Sequence, residues 1–172
     1  MALEYKHWEF SSQEQQKFQD WMDRIGTGHT GTQDIRNQQI NFTPLTKPLS
    51  ECTVTVVSTA GVHRKSDQAY DVANPHGDWS FREISTDTDI SDLAITHTHY
   101  NHVEADRDIN CMFPLDRLRE LRDLGVIGGI APMAYSIMGF VPNPVHLVEE
   151  TAPELARRVQ SEGADLVVMT CG

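Results

Sequence analysis

The sequence has little positive charge and no long apolar segment. Its 172 residues include 14 Lys and Arg against 25 Asp and Glu, which gives a formal net charge of -11. A nucleic-acid-binding surface needs a basic stripe, so this composition argues against nucleic acid as a partner and disfavours anionic lipid. No stretch approaches the roughly 18 apolar residues of a membrane-spanning helix, so we expect no membrane segment.

Cysteine is also scarce, and its pattern excludes one class of protein. Cys52, Cys111 and Cys171 are widely spaced, without a C-x-x-C pair. The first residues, MALEYKHWEFSSQEQQ, are too polar for a signal peptide, so the cytoplasm is the expected location. An odd number of cysteines in such a chain is not a disulfide framework. Each cysteine is interpreted first as a small buried residue, with a reactive thiol as the alternative.

The length suits one domain of ordinary size, preceded by an N-terminal arm. Residues 1–43 are predicted to form this arm, with a surface helix at 11–25. That helix is predicted because Phe18, Trp21, Met22 and Ile25 recur at helical spacing. Residues 44–172 are predicted to form a single α/β domain.

Apolar and β-branched segments alternate with helical ones in this domain. CTVTVVST at 52–59 predicts an inner strand with both faces covered. Shorter strands are predicted at FREIS, DLAITHT (92–98), the start of VIGGIAPMAYSIMGF and ADLVVMT. Helices are predicted at 114–124 and 151–163, the second with a Thr151–Glu154 capping box. The alternation predicts a mostly parallel sheet flanked by helices, a Rossmann-like three-layer fold.

Three of the predicted strands end in residues that are capable of chemistry. STAGVH follows the first strand, THTHYNH ends the strand at 92–98, and TCG follows the last one. Ligands of an open parallel sheet bind outside the carboxyl ends of its strands. If these three strands are parallel neighbours, one crevice would collect the following side chains: Ser58, Thr59, His63, His97, His99, His102 and Cys171.

The largest cluster of candidate site residues is a group of three histidines with H-x-H-x-x-H spacing, His97, His99 and His102. Alternate residues of an extended segment point the same way, so two of these histidines can bind one zinc ion, with Asp106 as a further ligand or partner. The spacing is similar to H-x-H-x-D-H of metallo-β-lactamase-type hydrolases, but Asn101 stands at the aspartate position. A zinc site, substrate or proton handling, and hydrogen bonding within the loop all stay open.

Three further candidates lie around the start of the helix predicted at 114–124. Asp108 is a candidate for substrate binding or for supporting the histidines. Cys111 precedes the helix, whose dipole would stabilise a thiolate, although apolar neighbours favour a packing role. Arg117 is on the solvated face of the helix and can turn toward a carboxylate substrate.

Several ordered blocks carry a resemblance to a known family. They include PLSECTVTVVSTAGVH, GDWSFREIS, ITHTHYNHVEADRDINCMFPLDRLRELRDLGVIGGIAP and ADLVVMTCG. From about residue 44 to the end, the chain resembles the selenoprotein B family of glycine, sarcosine, betaine and D-proline reductases. The resemblance implies reductive cleavage of the C–N bond alpha to a carboxylate. It also implies a selenocysteine or cysteine nucleophile, a pyruvoyl-containing partner subunit, and a dithiol or thioredoxin-like electron donor.

The resemblance places the nucleophile just after the last strand, at or beside Cys171. A selenocysteine codon is ordinarily read as stop, so we expect selenocysteine just beyond Gly172 and a domain truncated at its C-terminal end. A short complete protein and a trimmed chain are the alternatives. Without selenocysteine, Cys171 itself would attack. His97, His99 and Cys111 are then the other catalytic candidates.

The leading hypothesis is therefore a component of a reductase that acts on a small amino acid or related amine. Under this hypothesis the candidates for substrate binding are Ser58, Thr59, His63, Asp108 and Arg117. The second hypothesis is a zinc-dependent hydrolase or lyase that uses His97, His99 and His102. The third is a non-catalytic subunit of a complex. A homo-oligomer is compatible with each of them.

Overall fold

The computed structural model describes residues 43–142 and 144–172 of the chain. The helix predicted at 11–25 and the arm up to residue 42 lie outside the described residues. Residues 44–172 form one compact unit. No helix within the described residues is long and apolar enough to cross a membrane.

The main sheet is built around its central strand, β1 (Thr53–Ser58). On one edge β1 pairs in parallel with β5 (Gly129–Ile130) and then β6 (Met133–Ile137). On the other edge it pairs in parallel with β7 (Leu166–Thr170). β3 (Phe81–Ser85) lies beyond β6 and is antiparallel to it. The predicted α/β class with a mostly parallel sheet is confirmed.

The edge of β1 that contacts β5 and β6 is interrupted. Thr53 pairs with Gly129 and Val57 pairs with Tyr135. The pairing register therefore shifts by two residues between β5 and β6. Pro132 lies in this interruption and has no N–H to give to a ladder. The turn near Pro132 was predicted, whereas the second strand that follows it was not.

Two further strands form a separate small sheet. β2 (Val62–Arg64) and β4 (Leu93–Ile95) pair in antiparallel orientation. The strand predicted at 92–98 is shorter, and the condition that it be a parallel neighbour of β1 is not met. The chain turns from β1 into β2 at Gly61, whose φ of 71° is a conformation that favours glycine. The Thr96 N–H donates to the Gly61 carbonyl over 2.9 Å, and a Cβ at Gly61 would lie 2.4 Å from the Thr96 oxygen.

The helices of the unit are α1 (Val103–Arg107), α2 (Leu115–Asp123) and α3 (Ala152–Ser161). α2 confirms the helix predicted at 114–124, and the chain leaves it through Gly125, whose φ is 69°. Short 3-10 turns occupy Leu49–Glu51, Ile90–Asp92 and Ile109–Cys111.

The capping box predicted for α3 is wrong. A π-helical turn, Leu147–Thr151, leads into the helix, so Thr151 already has helical dihedral angles. The Thr151 hydroxyl donates instead to the carbonyl oxygen of Trp79 over 2.6 Å. The unpaired N–H groups that a capping residue would satisfy lie further upstream, at the start of the π-helical turn. The Thr151 side chain instead connects the helix to the loop before β3.

Both faces of the main sheet are covered. On one face Val54 and Val56 belong to the same core cluster as Phe113, Leu115 and Leu118, where α2 packs. On the other face Val57 belongs to a cluster with Tyr135 and Val159, where α3 packs. Successive strand residues point to opposite faces, which explains why every β1 residue from Val54 to Ser58 is buried. Each fully buried aliphatic side chain contributes about 1.5–3 kcal/mol.

Candidate functional site

The carboxyl ends of β1 and β7 lie side by side at one edge of the sheet. The Thr59 N–H donates to the Thr170 carbonyl over 3.0 Å, and the Gly172 N–H lies 3.4 Å from Thr59 Oγ1. The loop after β4 joins them, because the Tyr100 hydroxyl donates to the Ala60 carbonyl over 3.0 Å. A Cβ at Gly172 would lie 2.6 Å from the Tyr100 ring. The histidine loop thus reaches this edge although β4 is antiparallel.

His97 is the most buried histidine of this loop, with 7% of its surface exposed. Its Nδ1 accepts a hydrogen bond from the His99 N–H over 3.1 Å. Its Nε2 is buried and has no hydrogen-bond partner among the described residues. Burial lowers the pKa of His97, and the nearby His99 and His102 lower it further. The ring is therefore neutral at pH 7, with its proton on Nε2.

His97 lies close to two other rings of the loop, those of His99 and Tyr100. His99 is exposed and stacks on Phe140, with 3.3 Å between ring centroids. Tyr100 packs edge-on to His97 at 4.7 Å and to His102 at 5.6 Å. Burial raises the pKa of Tyr100 to about 12, and the charge of Asp106 adds to the rise. The tyrosine is therefore a neutral donor over the physiological range.

The zinc interpretation needs three ligands at one point. Among residues 43–142 and 144–172, no group of three His, Cys, Asp or Glu side chains is placed to hold a metal ion. Nδ1 of His102 is engaged by Asp106, with 2.9 Å to each carboxylate oxygen. Nδ1 of His97 is occupied by a backbone N–H. Within the part of the chain that the structure describes, these two histidines thus take part in hydrogen bonds of the loop.

Two of the three cysteines are exposed. Cys171 follows β7 at the edge just described, and Cys111 lies in the 3-10 turn before α2. The carbonyl of Met112, next to Cys111, accepts hydrogen bonds from Ser58 Oγ at 2.9 Å and Thr170 Oγ1 at 2.6 Å. The two cysteine-bearing segments are therefore neighbours.

Cys52 is fully buried, in agreement with a structural role. Its sulfur donates toward the Pro48 carbonyl over 3.3 Å. With no exposed surface, this thiol is not accessible to a substrate or an electron donor.

Two predicted substrate-binding residues are buried and already engaged. Ser58 Oγ donates to Met112 and also accepts from the Ala60 N–H over 3.2 Å. Both ring nitrogens of His63 are engaged, one with the Arg64 carbonyl and the other with Thr96 Oγ1, each at 2.8 Å. In this arrangement neither side chain has a free polar atom for a substrate.

Two more predicted substrate-binding residues have local partners. The Asp108 carboxylate accepts hydrogen bonds from the side chain and backbone N–H of Asn110, which lower its pKa. Arg117 is exposed and forms an ion pair with Glu120 at 2.7 Å. Of the five residues predicted for substrate binding, Thr59 is the one at the edge beside Cys171 and Gly172.

Phe140 and Gly139 contribute to the edge but were not predicted as site residues. The Gly139 N–H donates to the Thr59 carbonyl over 2.8 Å, and a Cβ at Gly139 would lie 2.8 Å from that same oxygen. This close approach requires glycine and brings Phe140 against His99. The available signal was the Gly-Phe pair directly after an apolar strand.

Comparison with known proteins gives two matches. The sequence profile described as glycine/sarcosine/betaine reductase selenoprotein B matches residues 29–172. The D-proline reductase subunit gamma of Acetoanaerobium sticklandii is 41% identical over 131 residues, which are 76% of this chain and 53% of that protein. The chain thus spans about half the length of this relative. No solved structure shows a significant match.

Proposed function

Because the chain belongs to the glycine/sarcosine/betaine reductase selenoprotein B family, we propose that it is a component of a dithiol-dependent reductase. The proposed reaction cleaves the C–N bond of a small amino acid or related amine. Its partners would be a pyruvoyl-containing subunit, which activates the amine, and a dithiol or thioredoxin-like electron donor. We place this assembly in the cytoplasm.

The proposed reaction is a two-electron reduction. A thiolate or selenolate attacks the carbon alpha to the carboxylate, a bond to that carbon forms, and the amine leaves with a proton. A second thiol then attacks the sulfur or selenium, the carbon takes up a proton, and a disulfide or selenenyl sulfide remains. The external dithiol reduces that bond. Glycine would give acetate and ammonia, and D-proline would open to 5-aminopentanoate.

The observation that carries the proposal is the position of Cys171 within the matched region. It is exposed, it follows the last strand of a mostly parallel sheet, and Tyr100 of the histidine loop lies against the neighbouring Gly172. Strand ends of this kind are where α/β proteins bind small ligands. We propose Cys171 as the attacking thiol or, where the family's selenocysteine attacks, as the thiol that discharges it.

Reconstitution tests the proposal. The chain would be assembled with partner subunits from the same organism and supplied with dithiothreitol and, in turn, D-proline, glycine, sarcosine or betaine. D-proline comes first because the relative is a D-proline reductase subunit. We expect Cys171→Ser to lower the rate of product formation by more than about 10³-fold, as loss of a nucleophile does.

Cys52→Ala is the matched control, because this thiol is buried and distant from solvent. It should retain the wild-type rate at a temperature where it stays folded. Full activity of the Cys171→Ser assembly would contradict the proposed role and favour a non-catalytic subunit.

A further inference from the structure

A buried hydrogen-bond donor remains unused beside the proposed reaction site. Nε2 of His97 has no partner among the described residues, although the side chain is more than nine-tenths buried. Native proteins satisfy the great majority of buried polar groups, so an unpaired one needs an explanation. An unpaired buried donor destabilises the free protein, and a polar ligand that accepts its hydrogen bond removes that destabilisation.

The backbone around His97 determines which chemistry the free nitrogen has. A backbone N–H can only donate, so the 3.1 Å contact from the His99 N–H requires Nδ1 of His97 to be the acceptor. The proton of the neutral ring therefore lies on Nε2. Contrast His63, which is equally buried but has both nitrogens engaged by the protein. His97 thus offers an N–H donor, whereas His63 offers nothing.

We infer that Nε2–H of His97 donates a hydrogen bond to the carboxylate of the substrate. This inference rests on the proposed function, in which every substrate has a carboxylate next to the carbon that is attacked. A hydrogen bond to a carboxylate is stronger than one between neutral groups. Because the imidazole is neutral, it binds the carboxylate without adding a positive charge near the amine group that must leave.

The position of His97 agrees with this role. Its ring packs against Tyr100, whose ring lies against Gly172, and Gly172 contacts Thr59. Two contacts, from His97 to Tyr100 and from Tyr100 to Gly172, thus connect the donor to the segment that carries Cys171. Tyr100 packs edge-on against the His97 ring, and its hydroxyl donates a hydrogen bond to the Ala60 carbonyl.

The experiment uses ¹⁵N-histidine-labelled full chain and the long-range ¹H–¹⁵N spectrum of its imidazole rings. Acetate is the probe, and acetamide is its neutral counterpart of the same shape. In the free protein we expect unprotonated Nδ1 and protonated Nε2 at His97. Acetate should shift the Nε2–H signal of His97 far more than acetamide does, while the His63 signals stay in place. A protonated Nδ1, or a Nε2 that acetate does not move, would overturn the inference.

Two variants extend the test to affinity. His97→Gln keeps an N–H donor close to the Nε2 position, and His97→Leu removes it while filling the space. In the reconstituted assembly, His97→Leu should raise KM for the amino acid by roughly 10- to 150-fold, the ratio expected for loss of a hydrogen bond to a charged group. His97→Gln should recover part of that loss. Unfolding curves of both variants identify any effect on the fold.

The two proposals fail in different ways. Acetate binding at His97 in an assembly that reduces none of the four amino acids would leave the carboxylate site standing and refute the reductase. An active reductase in which His97→Leu has the wild-type KM would support the reductase and refute the carboxylate site. A shift of His97 that acetate and acetamide produce equally would indicate a general polar cavity and also refute it.

Discussion

Asp78 illustrates how a single side chain organises the long loop before β3. Its carboxylate accepts hydrogen bonds from the Asp71 N–H at 2.9 Å, the Ser80 N–H at 2.9 Å and the Ser80 hydroxyl. The Arg82 guanidinium lies 3.9 Å away. Burial alone would raise the pKa of Asp78, but these hydrogen bonds outweigh it and lower the pKa below its ordinary value.

Asp78→Asn should therefore destabilise the protein by about 1.5–3 kcal/mol at pH 7, the usual contribution of hydrogen bonds to a charged group. Because the pKa of Asp78 is lower in the folded than in the unfolded state, its carboxylate stabilises the fold at pH values above about 4, the ordinary aspartate pKa. This stabilisation is lost as the pH falls below about 4 and through the pKa of the folded state. Urea unfolding at neutral and acidic pH measures both effects. The variant should lose less stability on acidification than wild type.

Asp87→Asn is the control, because Asp87 is an exposed aspartate in the turn after β3. It should unfold at the wild-type urea concentration. An Asp78→Asn protein with an unchanged midpoint and the same pH dependence would refute the role given to this carboxylate.

At the residue scale, the sequence indicated some of the site and missed the rest. Thr59 and Cys171 lie at the predicted edge because strand ends can be recognised locally. The engagement of Ser58 and His63 could not be predicted, because their partners Met112 and Thr96 are far away along the chain. Their catalytic or binding roles stay predictions that no observation has tested.

At the scale of elements, one carbonyl group connects three segments at the site. The Met112 oxygen accepts from Ser58 at the end of β1 and from Thr170 at the end of β7. A carbonyl oxygen has two lone pairs, so both bonds can form together. The turn that carries Cys111 is thereby held against the two strand ends.

A double-mutant cycle tests this connection. Ser58→Ala and Thr170→Val should each cost about 0.5–1.5 kcal/mol of unfolding free energy. Either variant leaves Met112 with one remaining donor, whereas the double variant leaves its carbonyl without any. The double variant should therefore cost more than the sum of the single ones, by about 0.5–3 kcal/mol. Additive values from urea unfolding would show that the two bonds are independent.

The prediction of elements succeeded where local signals decide and failed where pairing decides. The strand at 52–59 and the helix at 114–124 were predicted from apolar pattern and from Pro114 and Gly125. The segment 92–98 was predicted as a strand, but composition does not specify a partner. Its pairing with β2 depends on the turn at Gly61, which a strand pattern does not reveal.

At the scale of the whole molecule, a groove remains open on the face of the sheet that α3 covers. Its volume is about 510 Å³, and it lies between α3, the π-helical turn and β7. Val148 and Met169 line it and are 63% and 66% exposed. Exposed apolar surface of this kind is uncommon on proteins without a partner for it.

We expect the native protein to bind the dye 1-anilinonaphthalene-8-sulfonate in this groove. Val148→Asp and Met169→Asp should each lower the fluorescence of the bound dye several-fold, because they place a charge in the apolar lining. Leu124→Asp is the matched control, since Leu124 is 76% exposed but is not part of the groove. Equal fluorescence of all three variants would place the dye elsewhere.

The central position of β1 also has a consequence in time. The Thr53 N–H bonds to the Asp165 carboxylate, 112 residues further along the chain, and β7 completes the pairing of β1 from that distance. A ribosome that adds 5–20 residues per second needs about 6–22 s to cover this interval. During this interval, the β1 segment of the nascent chain, which is buried in the folded protein, lacks its native neighbour on one edge. Slow translation after β1 would therefore lengthen the period in which the nascent protein is most prone to aggregate.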